Sequence, residues 1–429
     1  MRNFARWIIV VTPVAASIGS VVAFFLWSLD EVTALRISNG WLLYLLPVAG
    51  AGIGATYQFF GKSVEAGTLQ IIDEIHKPGG GVPSRMAPFV LLGTIVTHLF
   101  GGSAGREGTA VQIGGSIASS FDRNIFQRAG SYFQLAHDDR RQLLQAGMAA
   151  GFGAVFGTPI AAAVFAIEVL GARRVSLKAL LPCLVGAVVG ERSVAIWGVH
   201  HAAYPQHLLA TAGHSQFNLV LVAKVMIAAL LFGLASWLFL KCAHGMSTIC
   251  KRFIPIAWLR PVLGAFIVIA LTIALGSRDY LGLGVSSSGS SISIVSSFTE
   301  GGANPFSWLL KIVFTSATVG SGFKGGEVTP LFFIGATLGN TLAVLMHAPI
   351  ALFAALGFVA VFSGAANTPI ACTIMGVELF GFDGVIYFAI ACAVAFLCSG
   401  QASLYRSHAP IDGAAALSDS FSDKRKSPV

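Results

Sequence analysis

Apolar stretches follow one another along almost the whole chain, at 7–27, 41–60, 88–100, 145–170, 180–197, 219–240, 262–275, 307–315, 331–362 and 385–397. About 20 residues cross a bilayer as a helix, and several of these runs are too short or too broken by glycine to do so. The chain therefore reads as an all-α polytopic integral membrane protein in which many helices are tilted or discontinuous. Its 429 residues, 55% hydrophobic, 11% charged and including 49 glycines, have the composition of that class. The basic opening MRNFARW precedes an apolar run with no clear small-residue cleavage site, so it reads as the approach to a first membrane helix and not as a removed signal.

The net charge of +8 is gathered at the ends of apolar segments: Arg2 and Arg6, Arg140 and Arg141, Arg173 and Arg174, Lys251 and Arg252, then Lys424 to Lys426. The positive-inside rule places both termini in the cytoplasm. Positive residues that punctuate apolar spans form no continuous basic patch, which argues against nucleic acid as a partner. The six cysteines are scattered, have no CxxC pair, and read as small core residues.

Within this apolar background lies GGSAGREGTAVQIGG (101–115), which delivers Arg106 and Glu107 to the start of an apolar helix. A carboxylate at membrane depth costs roughly 2.5–3.5 kcal/mol on insertion scales, so a functional role is the default. Set against itself, the chain shows a weak repeat. GREGTAVQIGG (105–115) is echoed by GGEVTPLFFIG (325–335), an offset of 220 residues from Glu107 to Glu327. FGTPIA (156–161), followed by Glu168, is echoed by ANTPIA (366–371), followed by Glu378, at an offset of 210 residues. The domains are then a first membrane repeat over 1–200, an extramembrane loop over 201–215, a second membrane repeat over 216–403, and a final helix segment with a short cytoplasmic tail over 404–429.

Thr158-Pro159, Thr329-Pro330 and Thr368-Pro369 mark helix starts, with threonine as the cap and proline in the first turn. Helix N-termini inside a membrane protein turn unpaired N–H groups and about half a positive charge toward a common point, a site suited to an anion. His200, His201, His207 and His214 lie between the repeats at a spacing that fits no familiar metal-ligand pattern, and they read as loop residues.

Together, GREGT before AVQIGG, the GGEVTP segment, the paired TPIA helices and Tyr405 near the end resemble the CLC anion channels and proton-coupled anion antiporters, over nearly the whole membrane region. The resemblance implies the CLC fold of two inverted-topology repeats, and a homodimer in which each subunit holds its own anion pathway. It implies no cofactor and no enzymatic activity. Four departures from the chloride-type pattern resemble the fluoride-exporting branch, the fluoride/proton antiporters of bacterial inner membranes. Thr109 replaces the proline of GREGP. The sequence AGTL (66–69) stands where a GSGxP serine would lie, 39 residues before Glu107. Glu327 enters the GxFxP helix start, and Val169 replaces the glutamate of the inner proton route.

By the same resemblance Glu107 is a gating, proton-carrying glutamate, and Glu327 a second one whose titration is coupled to it. Tyr405, Thr329, Thr68, Gly108, Thr109 and Val328 are the expected anion contacts. Each has a plainer reading: Glu107 as a carboxylate facing a helix start and Arg106, Thr329 as an N-cap, Tyr405 as an interfacial anchor. Arg106 reads as structural or as an outer electrostatic attractor, Glu168 and Glu378 as structural carboxylates, His98 as a satisfied core histidine, and Phe332 and Phe333 as packing or lipid-facing surface.

The function expected is export of fluoride in exchange for protons. The alternative is a chloride/proton exchanger or a passive chloride channel on the same fold. A remote one is an intramembrane serine hydrolase, because GGSAG (101–105) formally matches G-x-S-x-G around Ser103.

Overall fold

Among the described residues seven helices are long and apolar enough to cross a membrane, and shorter apolar helices of 10–17 residues lie between them. The computed structural model describes residues 2–77, 79–127, 135–171, 176–206, 218–285, 291–400 and 403–405, and among these it forms fifteen α-helices and no β-strand. The first half carries α1 (Arg2–Ser38), α2 (Leu46–Phe60), α3 (Thr68–His76), α4 (Met86–Leu99), α5 (Glu107–Phe121), α6 (His137–Phe156), α7 (Pro159–Glu168) and α8 (Leu180–Ile196). The second carries α9 (Leu219–Phe253), α10 (Arg260–Leu275), α11 (Ser307–Val319), α12 (Val328–Met346), α13 (Ile350–Ala366), α14 (Pro369–Phe380) and α15 (Val385–Ser399). His207, His214, Arg173, Arg174 and the tail from Arg406 onward lie outside the described residues.

α1 and α9, of 37 and 35 residues, are each over 50 Å long at about 1.5 Å per residue and must cross the hydrocarbon obliquely. At one end of α1, Arg6 is paired with Asp139 at the start of α6, 3.1 Å away. Arg140 and Arg141 lie on the same level, Arg140 against Asp122 at 3.5 Å and Arg141 donating to the Ile75 and His76 carbonyls. Arg6, Arg140 and Arg141 are thus collected at one face.

Lipid tails are as apolar as leucine, so helices in a membrane associate through close packing at small residues. In this chain the same seam occurs twice. A Cβ added to Gly114 of α5 would collide with the Gly147 carbonyl of α6, and one added to Gly335 of α12 would collide with the Gly357 carbonyl of α13. The backbones are in contact at both places; Gly147 and Gly357 match at the 210-residue offset, and Gly114 stands one residue before the position that matches Gly335. α12 lies at the centre, with 83% of its apolar stretch buried, whereas only 28% of that of Ala257–Leu275 is, so α10 faces outward. Phe332 and Phe333 of α12 are both buried, and of the two surfaces open to them in the sequence they provide packing.

Gly335→Ala should therefore force α12 and α13 apart, with overpacking costs of about 1–3 kcal/mol or more and loss of the monodisperse peak in size-exclusion chromatography. Gly52→Ala, where nothing lies within 4 Å of the added carbon, should elute unchanged.

Candidate functional site

The extended approaches to α5 and α12 run antiparallel and pair through two backbone hydrogen bonds. Gly105 N donates to the Gly326 carbonyl at 2.6 Å, and Gly326 N to the Gly105 carbonyl at 2.7 Å. Each glycine lies against the first turn of the other repeat's helix. A Cβ on Gly326 would sit 2.9–3.2 Å from the backbone nitrogens of Gly108, Glu107 and Arg106, and one on Gly105 would sit 2.9 Å from Pro330 Cδ and Thr329 Oγ1. No other residue lets two helix starts approach this closely. The sequence repeat centred on Glu107 and Glu327 is therefore a physical contact between halves.

Glu107 is 1% exposed, and its carboxylate crosses from its own helix to the start of α12. Oε2 accepts from Thr329 N at 3.0 Å and from Arg106 N at 3.1 Å, while Oε1 accepts from the Thr329 hydroxyl at 2.5 Å. The Arg106 Nε stands 3.8 Å from Oε1, too long for a hydrogen bond. A helix N-terminus supplies about half a positive charge and free N–H groups. Glu107 thus places its carboxylate on the N-terminus of α12, a position that favours negative charge.

The symmetry stops there. Glu327, the N-cap residue of α12, is half-buried, and its carboxylate makes no hydrogen bond among the described residues. Val328 is buried in the first turn of α12, and Gly108 lies against Gly326 at the start of α5. Thr109 is fully buried and its hydroxyl pairs with that of Thr94 on α4 at 2.8 Å, so only its backbone is available to an anion. Thr68 is the first residue of α3, after Gly67 at φ 58°, and Gly67 packs on the side chain of Gln112, five residues into α5 beyond Glu107. Tyr405 is 9% exposed, with its ring edge-on to Phe165 at 5.8 Å and its phenol within electrostatic reach of both Glu107 and Glu327. The structure thus brings Glu107, Glu327, Thr329, Val328, Gly108 and Tyr405 to one region, with Thr68 a turn and a half of helix away.

The other two Thr-Pro starts are satisfied differently. Thr158 and Thr368 precede α7 and α14, but neither hydroxyl caps its helix. The caps come from the opposite repeat: Glu378 accepts from Ile160 N and Ala161 N at 2.9 and 2.7 Å, and Glu168 accepts from Ile370 N and Ala371 N at 3.0 and 2.7 Å. A bidentate carboxylate outcompetes a neutral hydroxyl for two N–H groups and answers the helix dipole as well. α12 begins two residues earlier relative to its Thr-Pro pair, at Val328, so Thr329 is inside the first turn and its hydroxyl is free for Glu107.

Ser103 has no base: its hydroxyl bonds that of Thr315 at 3.0 Å, and both ring nitrogens of His98 face carbonyls, of Thr94 at 2.8 Å and Ala104 at 3.0 Å. Two residues packed into the interior, Tyr204 half-buried and Lys311 fully buried, escaped the sequence patterns. Tyr204, within the stretch expected to form an extramembrane loop, packs its ring against Phe358 at 5.4 Å and Phe380 at 5.7 Å, because an aromatic ring in a loop finds the core if one is in reach. Lys311 is fully buried in α11 and donates to the carbonyls of Tyr280 at 3.1 Å and Gly282 at 2.8 Å. A lone lysine inside the run 307–315 was the available signal for it.

A buried carboxylate on a helix start, shared by two membrane-embedded repeats, defines a polytopic membrane protein that handles anions. Its relatives narrow this. The profile of the voltage gated chloride channel family matches residues 48–400, and the chain belongs to that family, the CLC proteins. It is 44% identical to a chloride/fluoride channel protein of Pseudomonas syringae pv. tomato, over 97% of this chain and 90% of that one. A crystal structure of a CLC-type fluoride/proton antiporter is similar with a TM-score of 0.84 and 35% identity, covering 93% of this chain and 96% of the other. A slow cyanobacterial Cl−/H+ antiporter shares the fold at a TM-score of 0.77 and 17% identity, covering 98% and 99%. Family members are transporters or channels and not enzymes.

Removing either reciprocal cap, by Glu168→Ala or Glu378→Ala, should cost about 1–2 kcal/mol, seen as a lower unfolding midpoint in detergent. The double variant should lose about the sum, since the two caps serve different helix starts.

Proposed function

We propose that this protein is a secondary active antiporter of the bacterial inner membrane that exports fluoride in exchange for entering protons, with Glu107 as the protonatable gate. The observation that carries the reading is the seat of Glu107 on the first turn of α12. Every group that holds it, Thr329 N, Thr329 Oγ1 and Arg106 N, is a donor. Such a seat accepts an ionised carboxylate or a small anion, and it cannot hold both. A proton on Glu107 turns one acceptor oxygen into a donor, weakens its hold and frees the seat. Competition of this kind exchanges a proton on the glutamate for an anion on the helix start.

Fluoride is favoured by the donors. A small, charge-dense anion gains most from a hydroxyl and a backbone N–H at short range, and the Thr329 hydroxyl and the Tyr405 phenol supply such groups. Val328, Gly108, the backbone of Thr109 and, further along, Thr68 complete the wall. Glu327 is a second carboxylate near the path and, in this reading, the second proton-carrying group. The 35%-identical structure is that of a fluoride/proton antiporter, and the name of the 44%-identical relative includes fluoride beside chloride. The side bearing Arg6, Arg140 and Arg141 is cytoplasmic by the positive-inside rule, which puts the mouth above Arg106 outside, and the working unit is a homodimer with one pathway per subunit.

Reconstituted vesicles loaded with fluoride or chloride at matched concentration separate fluoride export from the chloride exchanger or channel: fluoride should leave faster by at least tenfold, and chloride moving as fast would overturn the selectivity. Glu107→Gln should abolish proton movement recorded with an internal pH dye, and unaltered proton flux would remove Glu107 from the mechanism. Thr329→Val keeps the backbone N–H and removes the hydroxyl, and should slow fluoride turnover about tenfold, the loss of one charge-assisted hydrogen bond.

A further inference from the structure

A cavity of about 520 Å³ opens at the C-terminal end of α1, at the opposite end of that helix from the Arg6–Asp139 pair. Three guanidinium groups from separate parts of the chain line it: Arg36 from α1, Arg106 from the approach to α5, and Arg278 from the segment after α10. Arg36 and Arg278 are near enough to repel one another, yet neither has a carboxylate within ion-pair distance among the described residues. Like charges held together in a partly buried place are unfavourable unless something of opposite sign lies between them.

The hydrogen-bonding ledger points to the same place. Arg36 Nε, Arg106 Nε and His201 Nδ1 are buried and make no hydrogen bond, Arg106 Nε having only the longer contact with Glu107, and all three residues line this cavity. Guanidinium N–H groups are donors only, so what Arg36 lacks is an acceptor. Of the wall's own carboxylates, Asp30 is within electrostatic reach of Arg106, and none is ion-paired with Arg36 or Arg278 among the described residues. Asp279 is held by the Ser277 hydroxyl at 3.0 Å and by Ser291 through its N at 3.0 Å and its hydroxyl at 2.7 Å, and Asp30 stands at the exposed rim.

One fluoride ion cannot reach donors on three walls of a space this size. A tetrahedral oxyanion is better suited, because its several oxygens accept from more than one guanidinium fork at once, and Arg36 and Arg278 are the two that lie near one another. Arg106 links the cavity to the gate, its Nε being 3.8 Å from Glu107 Oε1. We propose that this cavity binds a doubly charged oxyanion of the phosphate or sulfate class, and that its occupancy slows exchange through Glu107 from that face. The ligand is a free ion or the phosphate of a lipid headgroup. Binding stands apart from the transport reading above, whereas the effect on flux rests on it.

The test begins with the full chain in detergent, titrated with sodium sulfate at constant ionic strength while thermal unfolding is followed. Sulfate should raise the unfolding midpoint of the wild type, and Arg36→Gln and Arg278→Gln should each need about tenfold more sulfate for the same rise. No rise, or the same rise in both variants as in wild type, overturns the site; Arg278 is exposed, so its variant remains informative if Arg36→Gln fails to fold.

Flux is then measured in phosphatidylcholine vesicles with sulfate on both sides and expressed against each protein's ligand-free rate. Slowing by several-fold in wild type, relieved in Arg278→Gln, supports occlusion, and binding without slowing overturns it. Slowing by phosphatidylglycerol alone, relieved in the same variant, assigns the ligand to a headgroup, and slowing only by added sulfate or phosphate assigns it to the free ion. Absence of fluoride flux in ligand-free vesicles, with sulfate still bound, sinks the fluoride reading and leaves the site standing.

Discussion

The carboxylate of Glu107 sits on a helix start that belongs to the other half of the chain, and most of the architecture follows from making that contact possible. The two approaches need glycine at 105 and 326 so that their backbones can pair, and α5 and α12 must begin in the interior, with no water to solvate their first turns. Each helix must then be braced from behind by a partner it can touch closely, which is the work of the glycine seams to α6 and α13. Removing any one of these leaves an unsatisfied helix terminus in a medium that cannot hydrate it.

A helix start buried in a membrane protein has to be answered by negative charge, and this chain answers in two manners. At α7 and α14 the answer is permanent: Glu378 and Glu168 each hold two N–H groups of the opposite repeat and leave no opening for an ion. At α12 the carboxylate comes from the facing helix: Glu107 reaches across to a single backbone N–H and a hydroxyl. The same chemical group joins the halves at all three places. The difference lies in where the glutamate stands: at the far end of a helix that packs beside its target, or at the first residue of a helix facing it.

Much of this was legible beforehand. Apolar runs interrupted by glycine announced discontinuous helices, and the echo of GREGT in GGEVT announced that Glu107 and Glu327 are counterparts. The resemblance to CLC proteins then pointed to Tyr405 and to Thr68. What stayed hidden depends on distances across the repeat. Thr158-Pro159 looks like a self-capped helix, and only the fold reveals that Glu378, more than two hundred residues away, takes the N–H groups first. Thr109 was marked by its departure from a family pattern, yet its hydroxyl is spent on Thr94, a residue no motif singles out. Tyr204 and Arg36 were overlooked because single residues in loops and at helix ends carry no periodicity. Only the packed chain shows that one joins an aromatic core and the other lines a cavity.

The span of the central contact bears on how the protein is made. Glu107 and Thr329 are separated by 222 residues, a stretch that takes the ribosome about 10–45 s to synthesise at 5–20 residues per second. For that interval the first repeat is already threaded into the bilayer with its carboxylate facing a seat that does not yet exist. The Thr329 donors that hold this carboxylate arrive only when the second repeat packs against the first, so the contact on which the site depends is the last part of it to form.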